Sequence, residues 1–305
     1  MTERVVFMGS PQFALPVFEE LANKYQVSGV VTQPDRPAGR GRKLTPPPVK
    51  QAALEFGIPV IQPEKMKEPG VFEQLTAWQP DVIVVASFGQ ILRRNVLELA
   101  PFGCINVHAS YLPHWRGAAP IQAAILNGDE FTGISIMKLD PGIDTGPVYT
   151  QRKETIRDED TAVSLEERLS ILGAELLMET LPRILSGDLT PSAQDEKLAT
   201  YASMLHKEDG LLDCSQPAEQ LVLKVRAYYD WPGAYFIKGD LKIKVRKSRA
   251  LLDFHLVPGE FGQVKGYPVV GTSTGALELS EIQPAGKSWM DGRAYLNGNP
   301  EWLTQ

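Results

Sequence analysis

The apolar, β-branched run RVVFMG (Arg4 to Gly9) predicts a first strand that stops at a glycine. After it, Pro11 and the spacing of Phe13, Val17 and Leu21 predict a helix, with proline tolerated near its start. Further apolar runs follow in VSGVVTQ, DVIVVASFG, CINVH and ISIMKLD, with helical patterns between several of them. Apolar strands alternating with helices predict a mostly parallel sheet covered on both faces. Such sheets hold ligands beyond the carboxyl ends of their strands, and CINVH ends at His108. From Thr161 to about Ser186, the spacing of Leu165, Leu169, Leu172, Leu176 and Ile184 predicts one long amphipathic helix. Pro182 is expected to kink its last turn and Gly187 to stop it.

The pattern then changes. From Gly187 to about His206 the chain is polar and weakly patterned, which predicts a linker. We place that linker at 190–206, between a first domain at 1–189 and a second at 207–305. In the second, a helix is expected from Pro217 to Ala227, followed by the short alternating runs LKIKVRKS, GQVKG, YPVVGTS and ALELSEIQ with Gly-rich turns. The expected fold is therefore α/β: a Rossmann-like, mostly parallel sheet domain followed by a small OB-type β-barrel domain. In LKIKVRK, alternation sets Leu241, Ile243 and Val245 on one face and Lys242, Lys244 and Arg246 on the other. A basic strand face on a small barrel is a nucleic-acid surface in many proteins, and the ordinary solvent face of an antiparallel strand in many others.

Composition narrows the class. The chain of 305 residues fits two domains of ordinary size and carries a net charge of -6. No apolar run is long enough to span a bilayer, and the N-terminal sequence has no signal-peptide character, so a cytoplasmic protein is expected. Two cysteines, Cys104 and Cys214, argue for a reducing compartment and against a disulfide scaffold. The four histidines are scattered without ligand-spaced neighbours, so no metal site is expected. Charge is uneven: residues 207–305 carry 12 Lys+Arg against 12 Asp+Glu, and the acidic excess lies before them. Two stretches run the other way. KGDLKIKVRKSR holds six basic residues against Asp240, and QPDRPAGRGRK holds Arg36, Arg40, Arg42 and Lys43 against Asp35. Two basic patches on an acidic protein point to a polyanionic partner held at defined places, although either alone also reads as a solvated loop or face.

The chemistry centres on CINVH. Residues i and i+2 of a strand share a face, so Asn106 and His108 point the same way. An amide donor beside an imidazole suits acyl transfer: the amide holds a developing oxyanion and the imidazole moves a proton. The Gly/Pro-rich loop LDPGIDTG supplies Asp140 and Asp144 as candidate partners, and spacing does not choose between them. An ordinary hydrogen-bonded pair at a strand end is the alternative. The first strand-to-helix turn, MGSPQF, lacks G-x-G-x-x-G, so the sheet does not imply a dinucleotide. Ser110 lacks a G-x-S-x-G setting and Cys104 lies within an apolar run, so neither reads as a nucleophile, and direct transfer between two bound substrates is expected.

GCINVHASYLPHWRGAAPIQAAILNGD, LDPGIDTGPVY and TQPDRPAGRGRKL, with VRAYYDWPGAYF and LSEIQPAGK in the second half, resemble the methionyl-tRNA formyltransferase family of folate-dependent formyltransferases over nearly the whole chain. The resemblance implies catalysis by Asn106, His108 and Asp144. It implies 10-formyltetrahydrofolate as formyl donor, and the free amino group of methionyl initiator tRNA as acceptor in bacterial translation initiation. Asn106 and His108 would stabilise the oxyanion, and Asp144 would orient His108 and relay a proton, with no metal. Ser110, Tyr111, Leu112 and Pro113 are implied as the folate-contacting stretch, although the family usually reads H-G-S-L-L-P where this chain has Ala109 and Tyr111. We expect these four in one pocket with Phe88, Ile91 and Leu92 as an apolar wall. The basic loop of Arg36, Arg40, Arg42 and Lys43 is expected to be mobile and to guide the tRNA 3′ end. Lys242, Lys244 and Arg246 are expected to hold phosphates. A monomer without membrane contact is expected. The rival readings are a formyltransferase for a nucleotide-linked sugar or for glycinamide ribonucleotide, and a nucleic-acid-binding module on an inactive sheet domain.

Overall fold

The run Arg4–Gly9 is a strand buried from Val5 onward, and it lies inside a sheet with a parallel neighbour on each side. In this computed structural model the described residues are 3–38, 41, 43–299 and 302. In chain order the elements are β1 (Arg4–Gly9), α1 (Leu15–Lys24), β2 (Gln26–Val31), β3 (Arg36–Ala38), β4 (Lys43–Thr45), α2 (Pro48–Glu55), β5 (Val60–Ile61), α3 (Val71–Ala77), β6 (Val82–Ala86), α4 (Arg94–Leu97), β7 (Cys104–His108), β8 (Arg116–Gly117), α5 (Pro120–Asn127), β9 (Phe131–Lys138), β10 (Val148–Thr155), α6 (Ala162–Leu185), β11 (Tyr201–Ala202), α7 (Ala218–Ala227), β12 (Tyr235–Lys238), β13 (Leu241–Leu251), β14 (Phe261–Val264), β15 (Tyr267–Gly271), β16 (Ala276–Pro284), β17 (Met290–Asp291) and α8 (Gly292–Gly298). They fall into two compact units. One takes in residues up to 120 with 131–155 and 166–202; the other takes in 121–130, 156–165 and 203 onward.

The first unit is built on a seven-stranded sheet of order β10-β9-β7-β6-β1-β2-β5. The pairs β1–β2, β1–β6, β6–β7 and β2–β5 are parallel, and β9 runs antiparallel to both β7 and β10. A strand buried on both faces reads the same in either direction, so the reversal at β9 left no mark in the apolar pattern. The chain order steps from β1 to β2 on one side and returns to β6 on the other. That reversal opens a crevice at the carboxyl ends of β1 and β6, beside the end of β7. One face of the sheet buries Val6, Met8, Ile83, Val85 and Cys104 against Leu75, Phe88, Leu92 and Leu97. Toward α6, Gly173 leaves room for Val107, since a Cβ there would stand 2.8 Å from a Val107 methyl. Helix α6 closes as its pattern predicts, with Pro182 in its last turn and Gly187 in the left-handed region at φ 80.

The expectation of a linker at 190–206 is corrected between Ser192 and Ala202. Ser192 and Val148 exchange both backbone hydrogen bonds at 2.8 Å. The Thr200 N–H donates to the Pro113 carbonyl at 3.2 Å, and the Arg116 N–H donates to the Thr200 carbonyl at 2.9 Å. β11 then pairs in parallel with β8. This stretch is a strap laid along residues 113–118 and 144–148. Its side chains are polar because its stabilisation comes from hydrogen bonds rather than from an apolar face.

The second unit is an antiparallel sheet of order β12-β13-β16-β15-β14, with β17 added to β16. Phe236 on β12 and Phe261 on β14 stand at opposite ends of that order, yet their ring centroids are 5.8 Å apart. Both pack on the buried Trp302, whose indole N–H donates to the Gly262 carbonyl at 2.9 Å. The sheet is therefore curled edge toward edge, in keeping with the small-barrel class. Along β13, Ile243 and Val245 are buried while Lys244 is exposed, as the alternation predicts; Leu241, expected on the apolar face with them, is exposed at the start of the strand. Among the described residues no helix is long and apolar enough to cross a membrane.

Candidate active site

The crevice in the first unit is a cavity of about 560 Å³. Its floor is the end of β7, from Asn106 to Ala109. One wall is the turn after β6, with Phe88, Gly89, Ile91 and Leu92; the other is the loop Leu139 to Asp144; Gly117 and Ala118 complete it. Phe88 and Leu92 are buried in the adjoining core, and Ile91 stands 87% exposed at the rim. Ser87 (φ 45) and Gly89 (φ 75), both of which line the cavity, are left-handed and bend the turn sharply. Two glutamines fix it. Gln33 donates to the Phe88 carbonyl at 2.9 Å, and Gln90 donates to the Pro63 carbonyl at 3.0 Å while accepting from the Met66 N–H.

Asn106 and His108 both line the cavity and are 8% and 6% exposed. The Asn106 amide makes no hydrogen bond among the described residues and is available to a bound group. His108 is held on one side: Nε2 lies 3.2 Å from the Trp115 carbonyl. A carbonyl only accepts, so Nε2 carries the proton. Nδ1 then faces the Asp144 Oδ2 at 3.7 Å, longer than a hydrogen bond. The choice between the two aspartates is made by loop geometry. Asp140 turns back on its own loop, accepting from the Gly142 N–H at 3.0 Å and the Thr145 hydroxyl at 2.7 Å. Asp144 turns inward, and its Oδ2 accepts from the Gly117 N–H at 2.8 Å. Gly146 allows the loop to close, because a side chain there would collide with the Lys138 carbonyl.

The stretch 110–113, expected in the donor pocket, does not line this cavity. Ser110 is fully buried, and its hydroxyl donates to the His114 carbonyl at 2.6 Å. The Ser110 carbonyl accepts from the Ser135 hydroxyl, and the Leu112 N–H donates to the Ser135 Oγ at 3.0 Å. Gln151 donates to the Leu112 carbonyl at 2.7 Å, and the Pro113 carbonyl accepts from Thr200. The Tyr111 ring packs edge-on against Phe131, with the Lys153 ammonium 5.2 Å from its centroid. Most polar groups of the turn are thus bonded within the fold, and the turn leads into the segment that carries Trp115 and Gly117. Phe88, Ile91 and Leu92 do line the cavity together.

Of the basic residues, Arg40 and Arg42 lie outside the described residues, and with them the expected behaviour of their loop. Arg36 pairs with Glu64 at 3.0 Å and Lys43 is exposed on β4. In the second unit, the Lys242 ammonium sits 3.3 Å over the Tyr235 ring. Burial lowers its pKa, with Lys207 and Lys244 adding to the effect. The Arg246 guanidinium lies between the Tyr229 and Trp289 rings, at 4.7 and 4.8 Å. Three cations are thus presented on one face, two of them steadied by aromatic rings.

Some functional groups gave no sequence signal. The Gly117 amide and the Trp115 carbonyl are backbone atoms, invisible to residue type, although WRG directly follows the segment that carries Asn106 and His108. Burial pushes the Cys104 thiol up to about 12, so it is inert as a nucleophile, as expected. No group of three or more His, Cys, Asp or Glu side chains arranged for a metal ion occurs among the described residues.

Residues 3–181 match the family described as formyl transferase, and residues 204–300 match the formyl transferase C-terminal domain. The chain is 46% identical over 299 residues to the methionyl-tRNA formyltransferase of Chloroflexus aggregans, covering 97% of each chain. It is 46% identical to that of Halorhodospira halophila, covering 98% of this chain and 97% of the relative. Among solved structures, HypX from Aquifex aeolicus in complex with tetrahydrofolic acid matches at TM-score 0.67 and 17% identity, covering 99% of this chain and 48% of that one. An N-formyltransferase from Helicobacter canadensis, bound to folinic acid and dTDP-3-aminofucose, matches at TM-score 0.67 and 18% identity, covering 92% and 99%. At such identities the structural likeness speaks for the fold.

Proposed function

The chain belongs to the methionyl-tRNA formyltransferase family, and we propose from that premise that it transfers a formyl group from 10-formyltetrahydrofolate to the free amino group of methionyl initiator tRNA through Asn106, His108 and Asp144. The observation that carries the assignment of roles is the unbonded Asn106 amide, which shares one cavity with a His108 ring flanked by Asp144.

The donor supplies an electrophilic formyl carbon. The cavity supports that reading: Phe88, Ile91 and Leu92 line it as an apolar wall suited to a flat ring system. Asn106 donates its amide N–H to the oxygen that gains negative charge as the amine attacks, a contribution that strengthens as the charge grows. His108 holds its Nε2 proton on the Trp115 carbonyl, which leaves the Nδ1 lone pair to take the proton that the amine must lose. The resulting imidazolium can donate from Nδ1, either to the same oxyanion or toward Asp144. Asp144 stabilises that imidazolium across the 3.7 Å gap and passes the proton on, directly or through water, to the folate N10, whose bond to the formyl carbon breaks as the tetrahedral intermediate collapses and tetrahydrofolate leaves. No step is assigned to a metal.

Arg36, Arg40, Arg42 and Lys43 in the first unit, and Lys242, Lys244 and Arg246 in the second, are assigned to the tRNA. Lysines and stacked arginines serve phosphate neutralisation without reading sequence. We place the activity in the bacterial cytoplasm, carried out by a monomer.

The test is direct. The protein is incubated with 10-formyltetrahydrofolate and methionyl initiator tRNA, and the aminoacyl group is released and weighed by mass spectrometry. Formylmethionine is the expected product. Formylation of an amino-sugar nucleotide or of glycinamide ribonucleotide, with none on methionyl-tRNA, would overturn the assignment.

A further inference from the structure

Two non-glycine residues beside His108 are held in the left-handed region, Trp115 at φ 59 and Asp144 at φ 51. Such conformations cost of order 1–3 kcal/mol each and persist only where the surroundings fix them. Trp115 is fixed by its N–H, which donates to the Thr200 hydroxyl at 2.9 Å. Asp144 is fixed by Gln194. The Gln194 Nε2 donates to the carbonyls of Asp144 at 2.8 Å and Gly146 at 2.7 Å. Its Oε1 accepts from Arg116 Nε at 3.1 Å and Nη2 at 2.9 Å. Both amide protons and both lone pairs are in use. Arg116 is fully buried, and its charge is met by Glu196 through Nη1 to Oε2 at 2.9 Å and Nη2 to Oε1 at 2.8 Å. The guanidinium in turn holds the Glu196 carboxyl below the usual range. The ring of contacts then closes, because the residue after Arg116 is Gly117, whose N–H donates to the Asp144 carboxylate.

We propose that Gln194 is a positioning residue for Asp144: through its carbonyl contacts and through Arg116 it sets where the Asp144 carboxylate stands relative to His108 Nδ1. The proposal rests on the catalytic role given above to Asp144. Gln194 does not itself line the cavity, and it meets the lining only through the Asp144 carbonyl, behind the carboxylate. Its effect is therefore on the reacting geometry and not on the binding of either substrate. A 1 Å misplacement of a catalytic group costs up to about 100-fold in rate.

Gln194→Met keeps the length of the side chain and removes all four hydrogen bonds. Gln194→Glu keeps the acceptor for Arg116 and removes the donors to the Asp144 loop. Both are expected to lower kcat by about 10- to 100-fold, with KM for donor and tRNA changed less than about threefold. In an Asp144→Asn background, Gln194→Met is expected to cost less than about threefold more, because the group it positions is already gone. Thermal unfolding at the assay temperature corrects each rate for folded fraction, and the Glu variant, which can still pair with Arg116, guards against a failure to fold. Amide hydrogen exchange reads the same clasp without activity: the Gly117 N–H is expected to exchange about tenfold faster in Gln194→Met than in the parent chain. A kcat loss of equal size in the Asp144→Asn background, a kcat within twofold of the parent, normal turnover in Gln194→Glu, or unchanged exchange at Gly117 would each overturn the proposal. A parent chain that fails to formylate methionyl-tRNA would count against the proposed function instead, and the exchange measurement would still decide the clasp.

Discussion

Two polar stretches of this protein use their side chains in opposite ways. Between Ser192 and Ala202, Gln194, Glu196 and Thr200 turn onto the protein, and their partners are Arg116, Trp115 and the Asp144 carbonyl. Between Lys242 and Arg246, the cations stand on the strand face opposite the core, Lys244 exposed and the other two against aromatic rings. In the first stretch each side chain has a fixed role and no substitute. In the second, three like charges are assigned one role. Loss of a residue in or beside the first network should be felt in turnover, and loss of one in the second should be felt, in part, in affinity.

The largest effects should fall at the residues that the strap frames. Asn106→Ala, His108→Ala and Asp144→Ala are each expected to lower kcat by about 100- to 1000-fold, the usual cost of an oxyanion donor or its partner, with tRNA affinity nearly unchanged. Steady-state kinetics paired with filter binding separates the two quantities, and near-normal turnover would remove that residue from the mechanism.

Next should come Gly117→Ala. Gly117 sits at φ 116, and a Cβ there would stand 2.5 Å from the Ala202 carbonyl. The strap and the hydrogen bond to Asp144 are disturbed together, so we expect a stability loss of order 1–3 kcal/mol and a fall in kcat. A calorimetric melt unchanged from the parent would contradict the close approach on which the strap depends.

Smaller and different in kind is the double change Lys242→Ala with Lys244→Ala. It should raise KM for tRNA, leave kcat alone, and flatten the slope of log affinity against log salt by about one unit for each phosphate no longer neutralised. A salt series decides. A lowered kcat would erase the contrast between the two stretches.

Smallest of all should be Tyr111→Leu, which restores the usual family residue. The ring packs on Phe131 and Lys153 and not in the cavity. KM for the donor should stay within about twofold, with a stability change on the order of 1 kcal/mol as the aromatic pairing is removed. A large change in donor KM would return the 110–113 turn to the donor site.

The same contrast explains what the sequence made legible. The basic face of β13 was readable because period-two alternation is a local signal, and Ile243 and Val245 carry it in two residues. Asn106 and His108 were readable for the same reason, at the end of a strand whose apolar run marks it as buried. The strap was not readable. Gln194 meets Asp144 fifty residues away and Arg116 still further along the chain, and hydrogen bonds of that span leave no period. The bonding of the 110–113 turn was hidden for a related reason. Residue types name its side chains but not the direction of its polar groups, which Ser135 and Gln151 consume from another part of the chain. The reversal of β9 was hidden by burial on both faces.

The central claim is that Asn106, His108 and Asp144 carry a formyl group from a folate donor to a tRNA-linked methionine. Single-turnover formylation with saturating 10-formyltetrahydrofolate and enzyme in excess over methionyl initiator tRNA tests it most directly, since binding no longer limits the rate. The account predicts complete conversion to formylmethionyl-tRNA by the parent chain and a rate about 100- to 1000-fold lower for Asn106→Ala at the same tRNA occupancy. Absence of formylmethionine from the parent chain, or equal rates for the parent and Asn106→Ala, would contradict it.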